Sequence, residues 1–262
     1  MIEHFSYGYI TLPIAFLVSM TGSALGLLLA RHARRERATG RRVAWLFLSA
    51  FALGGTGIWV MHFVAMLGFD LPDAELRYGP GLTMLSALIA VVAVFCGLLL
   101  IGMGRYSRLK LSAAGTFTGI GIGAMHYTGM AAVNADVELH HELGFVVAAV
   151  AVAVGASTTA LWLAWRLEKT SSMWLAAAVM ALAVNLMHYT GMMGVRVGGG
   201  ISAPVHGAHS IDLIFPMATV TAIVLLFLIF TVVTVPTAEE LRSEERLSAI
   251  EHQMGPASGR AR

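Results

Sequence analysis

Seven long apolar segments constrain the fold of this chain more than any other feature. Each is close to the roughly 20 residues that a helix needs to cross a lipid bilayer. Because the bilayer interior offers no water to backbone groups, segments of this length satisfy their own hydrogen bonds as helices. The sequence therefore predicts an all-α, seven-transmembrane helix bundle. The segments lie at residues 9–30, 43–66, 81–103, 111–133, 143–165, 172–195 and 211–235.

Composition supports a membrane protein and excludes several other classes. The chain is 57% hydrophobic and 12% charged, whereas a soluble domain has about 25% charged residues. A single cysteine, Cys96, excludes an intramolecular disulfide and a cysteine metal cluster. The first residues lack the basic region of a cleavable signal peptide. We find no P-loop, nucleophile elbow or Cys-x-x-Cys motif, so we expect neither an enzyme nor a nucleic-acid-binding protein.

The basic residues predict the orientation of the bundle. All but two of the 17 lysines and arginines lie in the first, third and fifth connections or in the C-terminal tail; the exceptions are Arg77 and Arg196. Basic residues accumulate on the cytoplasmic side of membrane proteins. We therefore predict an outward N-terminus and a cytoplasmic C-terminus. Residues 1–236 form the membrane domain in this prediction, and residues 237–262 form a cytoplasmic helical tail with a disordered end.

One short motif recurs on alternate segments. The sequence MHYTGM occurs at Met125–Met130 and again at Met187–Met192, and a variant, MHFVAM, occurs at Met61–Met66. The nearly equal spacing predicts three two-helix repeats followed by a seventh helix. The three histidines then lie at one depth near the outward ends of the second, fourth and sixth helices. We expect these imidazoles to face one another.

The motif supplies candidate metal ligands. On a helix the histidine and the second methionine are four residues apart and share a face, whereas the first methionine points about 100° away from the histidine. Asn185, one turn before His188, can orient that imidazole or bond to a neighbouring helix. The main candidates are His62, Met66, His126, Met130, His188 and Met192, and the weaker ones are Met61, Met125, Met187 and Asn185.

Imidazole and thioether groups together favour copper. Thioethers select Cu(I), and imidazole suits copper, zinc and iron. Zinc is less suitable because it usually takes cysteine, histidine or carboxylate. A haem needs only two axial ligands, fewer than a threefold repeat provides. The alternative without a metal is that the histidines hydrogen-bond between helices and the methionines fill gaps in the core.

The three motif copies on alternate helices resemble the MHYT integral membrane sensor domain, over about residues 5–240. The resemblance implies a bacterial inner-membrane protein that senses oxygen, carbon monoxide or nitric oxide through a metal, copper, held by the motif residues. Tyr127 and Tyr189 match the family motif, whereas Phe63 and Val64 depart from it. Many relatives carry an output domain that acts on cyclic di-GMP.

We therefore expect a stand-alone, non-enzymatic sensor that signals to a separate cytoplasmic protein and contacts the lipid bilayer and a diatomic gas. Two other functions remain open at this point. One is a copper transporter or carrier, because histidine- and methionine-lined pathways suit Cu(I). The other is a haem-binding redox subunit.

Overall fold

Seven long helices dominate the described part of the chain. The computed structural model describes residues 8–71, 74–200 and 206–234, together with residues 243, 246–248 and 250. Most of the predicted tail, residues 237–262, therefore lies outside the described residues. The helices follow the seven apolar segments to within a few residues. They are α1 (Thr11–Arg35), α2 (Thr39–Met66), α3 (Pro80–Gly102), α4 (Arg108–Ala131), α5 (Leu143–Arg166), α6 (Thr170–Met193) and α7 (Ser210–Thr234).

Six of these helices are long and apolar enough to cross a membrane, namely all except α4. The glycines and threonines of α4 lower its hydropathy, although the helix is as long as its neighbours. Apolar side chains on the outside of the bundle are widely exposed, such as Leu88 on α3, Val147 on α5 and Phe227 on α7. A bundle with this exterior is a multi-pass membrane protein.

The first six helices form a closed ring. Each helix packs against the next, and α6 returns to pack against α1. Small residues allow close crossings: a Cβ added to Gly22 of α1 would lie 2.4 Å from the backbone nitrogen of Gly57 on α2. Helix α7 lies outside the ring and contacts α1 and α2. Helix α1, which carries no motif histidine, is also an interior helix, and half of its most apolar stretch is buried.

Helix α2 is not a regular α-helix. Residues Phe51–Val60 form a π-helical segment, and α-helical geometry resumes over Met61–Met66. π-Helical segments are rare and usually last a single turn. The segment rotates the end of α2 relative to its start. The usual 100° per residue therefore does not predict which face a residue after the segment shares with residues before it. The motif histidine of α2 follows directly after this segment.

The prediction of an all-α fold missed four short strands at one end of the bundle. β1 (Leu76–Tyr78) pairs antiparallel with β2 (Val133–Ala135), and β3 (Val137–His141) pairs antiparallel with β4 (Val195–Gly200). A backbone bridge between Tyr78 and Ala208 adds a third link. The segments that follow α2, α4 and α6 are thus joined to one another. Strands this short have too little periodicity to be read from a sequence.

The opposite end of the ring carries the basic connections. Arg34 and Arg35 at the end of α1 form ion pairs with Glu168, at 3.3 and 3.4 Å. The ring of Tyr106 stacks on Trp165, with centroids 6.4 Å apart. These contacts bring the first, third and fifth connections together, so the bundle has a strand end and a basic end.

Candidate metal centre

The three motif histidines meet inside the ring near its strand end. His62 on α2, His126 on α4 and His188 on α6 each lie four or five residues before the end of the helix. Each imidazole is at most 1% exposed. The ring centroids are 4.9 Å apart for His62–His126 and His62–His188, and 5.3 Å apart for His126–His188. The prediction that the imidazoles face one another is confirmed.

The Nδ1 atom of His62 is central to this histidine triad. It lies 2.9 Å from Nδ1 of His188 and 3.2 Å from Nδ1 of His126. A neutral imidazole nitrogen carries either one proton or one lone pair. His62 Nδ1 therefore makes one in-line hydrogen bond at most, and one of its two neighbours is left with a poor contact. A cation that accepts lone pairs from several nitrogens suits this arrangement better than hydrogen bonds alone.

Two imidazoles also have an unpaired second nitrogen. The Nε2 atoms of His62 and His126 are buried and have no hydrogen-bond partner among the described residues. Instead, each packs against the motif glycine of another repeat. A Cβ added to Gly129 would lie 2.6 Å from Nε2 of His62, and one added to Gly191 would lie 2.5 Å from Nε2 of His126. The glycine of one repeat thus makes room for the imidazole of the previous one.

This role of the motif glycines was not apparent from the sequence. Their recurrence three residues after His126 and His188, with Ala65 at the same place in the first copy, was the available signal. A sequence gives the spacing along each helix but not which helix faces which. The order of these contacts, in which α4 makes room for the imidazole of α2 and α6 for that of α4, had to come from the structure.

The second methionines of the three copies form one cluster at the strand end. Met66, Met130 and Met192 are each at most 2% exposed. They pack with apolar residues from the ends of the helices and from the strands beyond them. We call this group the methionine cluster: Phe63, Met66, Phe69, Leu71, Tyr78, Met130, Val133, Met192 and Val195. It lies between the histidine triad and the strands.

The first methionines lie elsewhere. Met61 packs with Ala15 of α1 and Ala65, whereas Met125 and Met187 belong to the main core of the ring. Asn185 is buried, and its Nδ2 donates a hydrogen bond to the carbonyl of Ala181 within α6, at 2.8 Å. The two methionines of each motif thus belong to different clusters, as the helical geometry predicted. Their roles as metal ligands stay predictions.

The aromatic residue of each motif packs edge-on against its own histidine. The centroid distances are 5.0 Å for Phe63 with His62, 4.9 Å for Tyr127 with His126 and 5.0 Å for Tyr189 with His188. Tyr127 also contacts the ring of His141 at 5.2 Å. His141 lies on β3, and burial, together with the nearby His140, lowers its pKa. The triad is therefore connected through one tyrosine to the strand end.

Comparison with known proteins places the chain among bacterial signalling proteins. The model of the MHYT family, described as the bacterial signalling protein N-terminal repeat, matches residues 55–114 and 119–177. The bifunctional diguanylate cyclase/cyclic di-GMP phosphodiesterase MucR of Pseudomonas aeruginosa is 38% identical over 197 residues, which is 73% of this chain and 28% of MucR. No solved structure matches the chain.

Two further relatives have similar coverage. The cyclic di-GMP phosphodiesterase NbdA of the same organism is 32% identical over 218 residues, which is 81% of this chain and 27% of NbdA. The signalling protein YkoW of Bacillus subtilis is 26% identical over 214 residues, which is 79% of this chain and 26% of YkoW. The chain thus spans about a quarter of the length of these relatives. From the repeated motif and these matches, the chain belongs to the MHYT family of bacterial signalling proteins.

Proposed function

We propose that this chain is a sensor in a bacterial membrane and that it senses through a copper ion held by His62, His126 and His188. The observation that carries the proposal is the convergence of three buried imidazoles, one nitrogen of each lying within 4.8 Å of the others. Ionisable side chains inside a membrane are costly and are usually retained for function. Three of them in mutual contact are hard to explain as helix packing.

The donor set fits a copper ion. The group consists of imidazoles without a carboxylate, which excludes a magnesium or calcium site. Metal–nitrogen bonds of about 2.0–2.1 Å place ligand nitrogens roughly 3.3–3.6 Å apart. The Nδ1 separations of 2.9 and 3.2 Å need to widen by only a few tenths of an ångström. A three-histidine site also suits zinc, and the adjacent methionine cluster favours copper because thioethers are soft ligands.

The same distances disfavour a haem. A porphyrin lies between its two axial ligands, so it needs a flat gap between two imidazole nitrogens. The Nδ1 atoms of His62 and His188 are instead in direct contact, at 2.9 Å. Inserting a macrocycle would require the helices of the ring to separate. A single ion fits without that change.

A bound copper ion would supply a centre whose coordination changes with a diatomic gas or with redox state. The residues of the chain would convert that change into helix movement. The imidazole of His62 lies against Gly129 on α4, and that of His126 lies against Gly191 on α6. An imidazole that shifts or turns therefore pushes on the helix of another repeat. The π-helical segment before His62 gives α2 a place where such a movement can be absorbed or passed on.

We further propose that all seven helices span the bacterial inner membrane as three helix pairs and a seventh helix. The N-terminus and the strand end face outward, and the basic end faces the cytoplasm. The contacts of Arg34 and Arg35 with Glu168 support this orientation, because they gather basic connections at one end. Helix α4 is less apolar, but its packing between α3 and α5 in the ring supports a seventh span at the same depth.

In this proposal the chain catalyses no reaction. MucR and NbdA are named for activities on cyclic di-GMP, and the matched region is about a quarter of each. We propose that the membrane region supplies the input to a cytoplasmic signalling partner that acts on this nucleotide.

Metal content tests the metal part of the proposal. We expect protein purified without chelators and reconstituted with Cu(I) to hold about one copper ion per chain. His126→Ala should lose most of it, whereas His140→Ala, on an exposed strand residue, should retain it. Size-exclusion profiles and thermal unfolding of both variants control for folding. No metal in the wild type, or equal copper in wild type and His126→Ala, would contradict the site, and copper flux in proteoliposomes would favour a transporter.

A further inference from the structure

An apolar cavity of about 310 Å³ lies beside the histidine triad, between α1, α2 and α7. It is distinct from the metal centre because none of the three histidines lines it. Helix α7, which lies outside the six-helix ring, closes one side. Residues that line the cavity include Ile14 on α1, Phe63 and Val64 on α2, and Met217, Ala218 and Ala222 on α7.

The cavity coincides with the place where the repeat breaks down. The second and third motif copies have Tyr127-Thr128 and Tyr189-Thr190, whereas the first has Phe63-Val64. Both replacements remove a hydroxyl group, and both of the resulting side chains line the cavity. A hydroxyl group that faces an apolar cavity without a partner costs free energy. The first copy thus departs from the motif in the direction that keeps this cavity apolar.

One aromatic ring separates the cavity from the metal centre. Phe63 lines the cavity and packs edge-on against His62, with centroids 5.0 Å apart and an interplanar angle of 87°. His62 is the histidine whose Nδ1 contacts both other imidazoles. Phe63 is therefore the side chain through which the cavity borders the central histidine.

By comparison, the side of the triad that faces the strands is closed. The methionine cluster covers it with buried apolar side chains from all three repeats and from the strands. A small molecule arriving from water would have to pass this layer. On its other side the cavity is bordered by apolar side chains that are themselves exposed, namely Ile14, Ala218 and Ala222.

We infer that this cavity binds a small apolar molecule of the size of a diatomic gas and is its route from the bilayer to His62. Apolar cavities without polar partners stay free of water and take up xenon or similar ligands. Its lining has no charged side chain, and its polar side-chain groups are the hydroxyls of Tyr78 and Thr221, so few groups could fix the orientation of a polar ligand. The route to a metal rests on the proposed function, whereas the binding of an apolar molecule does not.

Xenon binding tests the cavity directly and needs no metal. We would label the methionine methyl groups with ¹³C and record their spectra under increasing xenon pressure in nanodiscs. Met217 lines the cavity, so its methyl signal should shift and saturate. Met193, which is 60% exposed at the end of α6, reports dissolved xenon and should shift only linearly. A linear shift at Met217, or contacts between Met217 and lipid acyl protons that xenon does not displace, would overturn the inference.

Two variants and a control sharpen the test. Ala222→Phe fills the cavity and should abolish the saturable shift, whereas Val220→Phe, on the exposed face of the same helix, should leave it intact. Val64→Thr restores the hydroxyl of the other copies with little change in volume. It should weaken xenon binding, because the added hydroxyl group makes the lining of the cavity less apolar. Equal xenon affinity in all four proteins would contradict the assignment of the site.

The rate of carbon monoxide binding to the copper-loaded protein tests the route. Ala222→Phe should slow association several-fold relative to the wild type and to Val220→Phe, with copper content unchanged. Saturable xenon binding together with an unchanged association rate would overturn the route. If the wild type holds no copper, the proposed metal function fails, and the xenon titration still decides whether the cavity is a binding site.

Discussion

Helix α2 and helices α4 and α6 carry the same histidine in the same motif but present it in different ways. Helices α4 and α6 are regular α-helices with a tyrosine after the histidine. Helix α2 has a π-helical segment just before its histidine and a phenylalanine after it. His62 makes both Nδ1 contacts of the triad. A repeated sequence has thus produced a site in which one of three equivalent residues has a central position.

The largest expected effect comes from removing that central residue. His62→Ala should weaken Cu(I) binding by at least about 100-fold, because even partners outside the coordination sphere contribute 10–100-fold. His188→Ala should weaken Cu(I) binding less, since the Nδ1 atoms of His62 and His126 remain 3.2 Å apart. Competition with a coloured Cu(I) chelator measures both affinities.

His140→Ala serves as the control for removing an imidazole outside the triad. If His62→Ala and His188→Ala lose copper affinity equally, the site is symmetric in its function and the central position of His62 has no consequence for binding.

A smaller effect is expected from closing the space that a motif glycine provides. Gly191→Ala places a Cβ about 2.5 Å from Nε2 of His126, and overpacking of this kind costs about 1–3 kcal/mol. Gly155→Ala on α5 is the matched control because no atom lies within 4 Å of its added Cβ. Thermal unfolding in detergent should show a lower midpoint for Gly191→Ala only, together with reduced copper content.

Equal stability of the two glycine variants would show that the imidazole of His126 moves aside without cost. The contact between one repeat and the next would then be too loose to transmit a change at the metal centre from α4 to α6.

The sequence predicted the parts of this structure that depend on regular spacing. Apolar length gave the seven helices to within a few residues, and three copies in phase placed three histidines at one depth. The π-helical segment of α2 was not predictable because Phe51–Val60 is apolar except for Thr56 and shows no change of period. The strands after α2, α4 and α6 are stabilised by pairing between distant segments, for example Leu76 with Ala135, which local patterns do not record.

The histidine triad was predictable in its residue types and less so in its geometry. At 100° per residue, Met66 lies on the same face of the helix as His62, whereas Met61 points away from it. In the structure these two methionines belong to different clusters. Which nitrogen of each imidazole faces the others depends on the rotamer, and this depends on neighbours such as Gly129. The importance of Phe63 was also hidden, because a departure from a motif has no evident meaning until the cavity beside it is known.

The smallest expected effects come from exchanging the aromatic residues of the two kinds of repeat. Tyr127→Phe makes the second copy resemble the first. The hydroxyl group of Tyr127 is buried and has no hydrogen-bond partner among the described residues, so its removal should leave stability within about 0.5 kcal/mol of the wild type or raise it. Copper content should not change. A marked loss of copper in Tyr127→Phe would show that the tyrosine hydroxyl takes part in the metal centre.

The reciprocal exchange, Phe63→Tyr, should not be neutral. It places a hydroxyl group at the boundary between the apolar cavity and His62, and a polar group without a partner there costs about 1–3 kcal/mol. Thermal unfolding of the two variants, measured in the same nanodiscs, gives the comparison directly. A large decrease for Phe63→Tyr beside none for Tyr127→Phe means that the first repeat has specialised for an apolar neighbour. Equal midpoints would mean that the aromatic positions are interchangeable, and the phenylalanine would then be an incidental difference between copies.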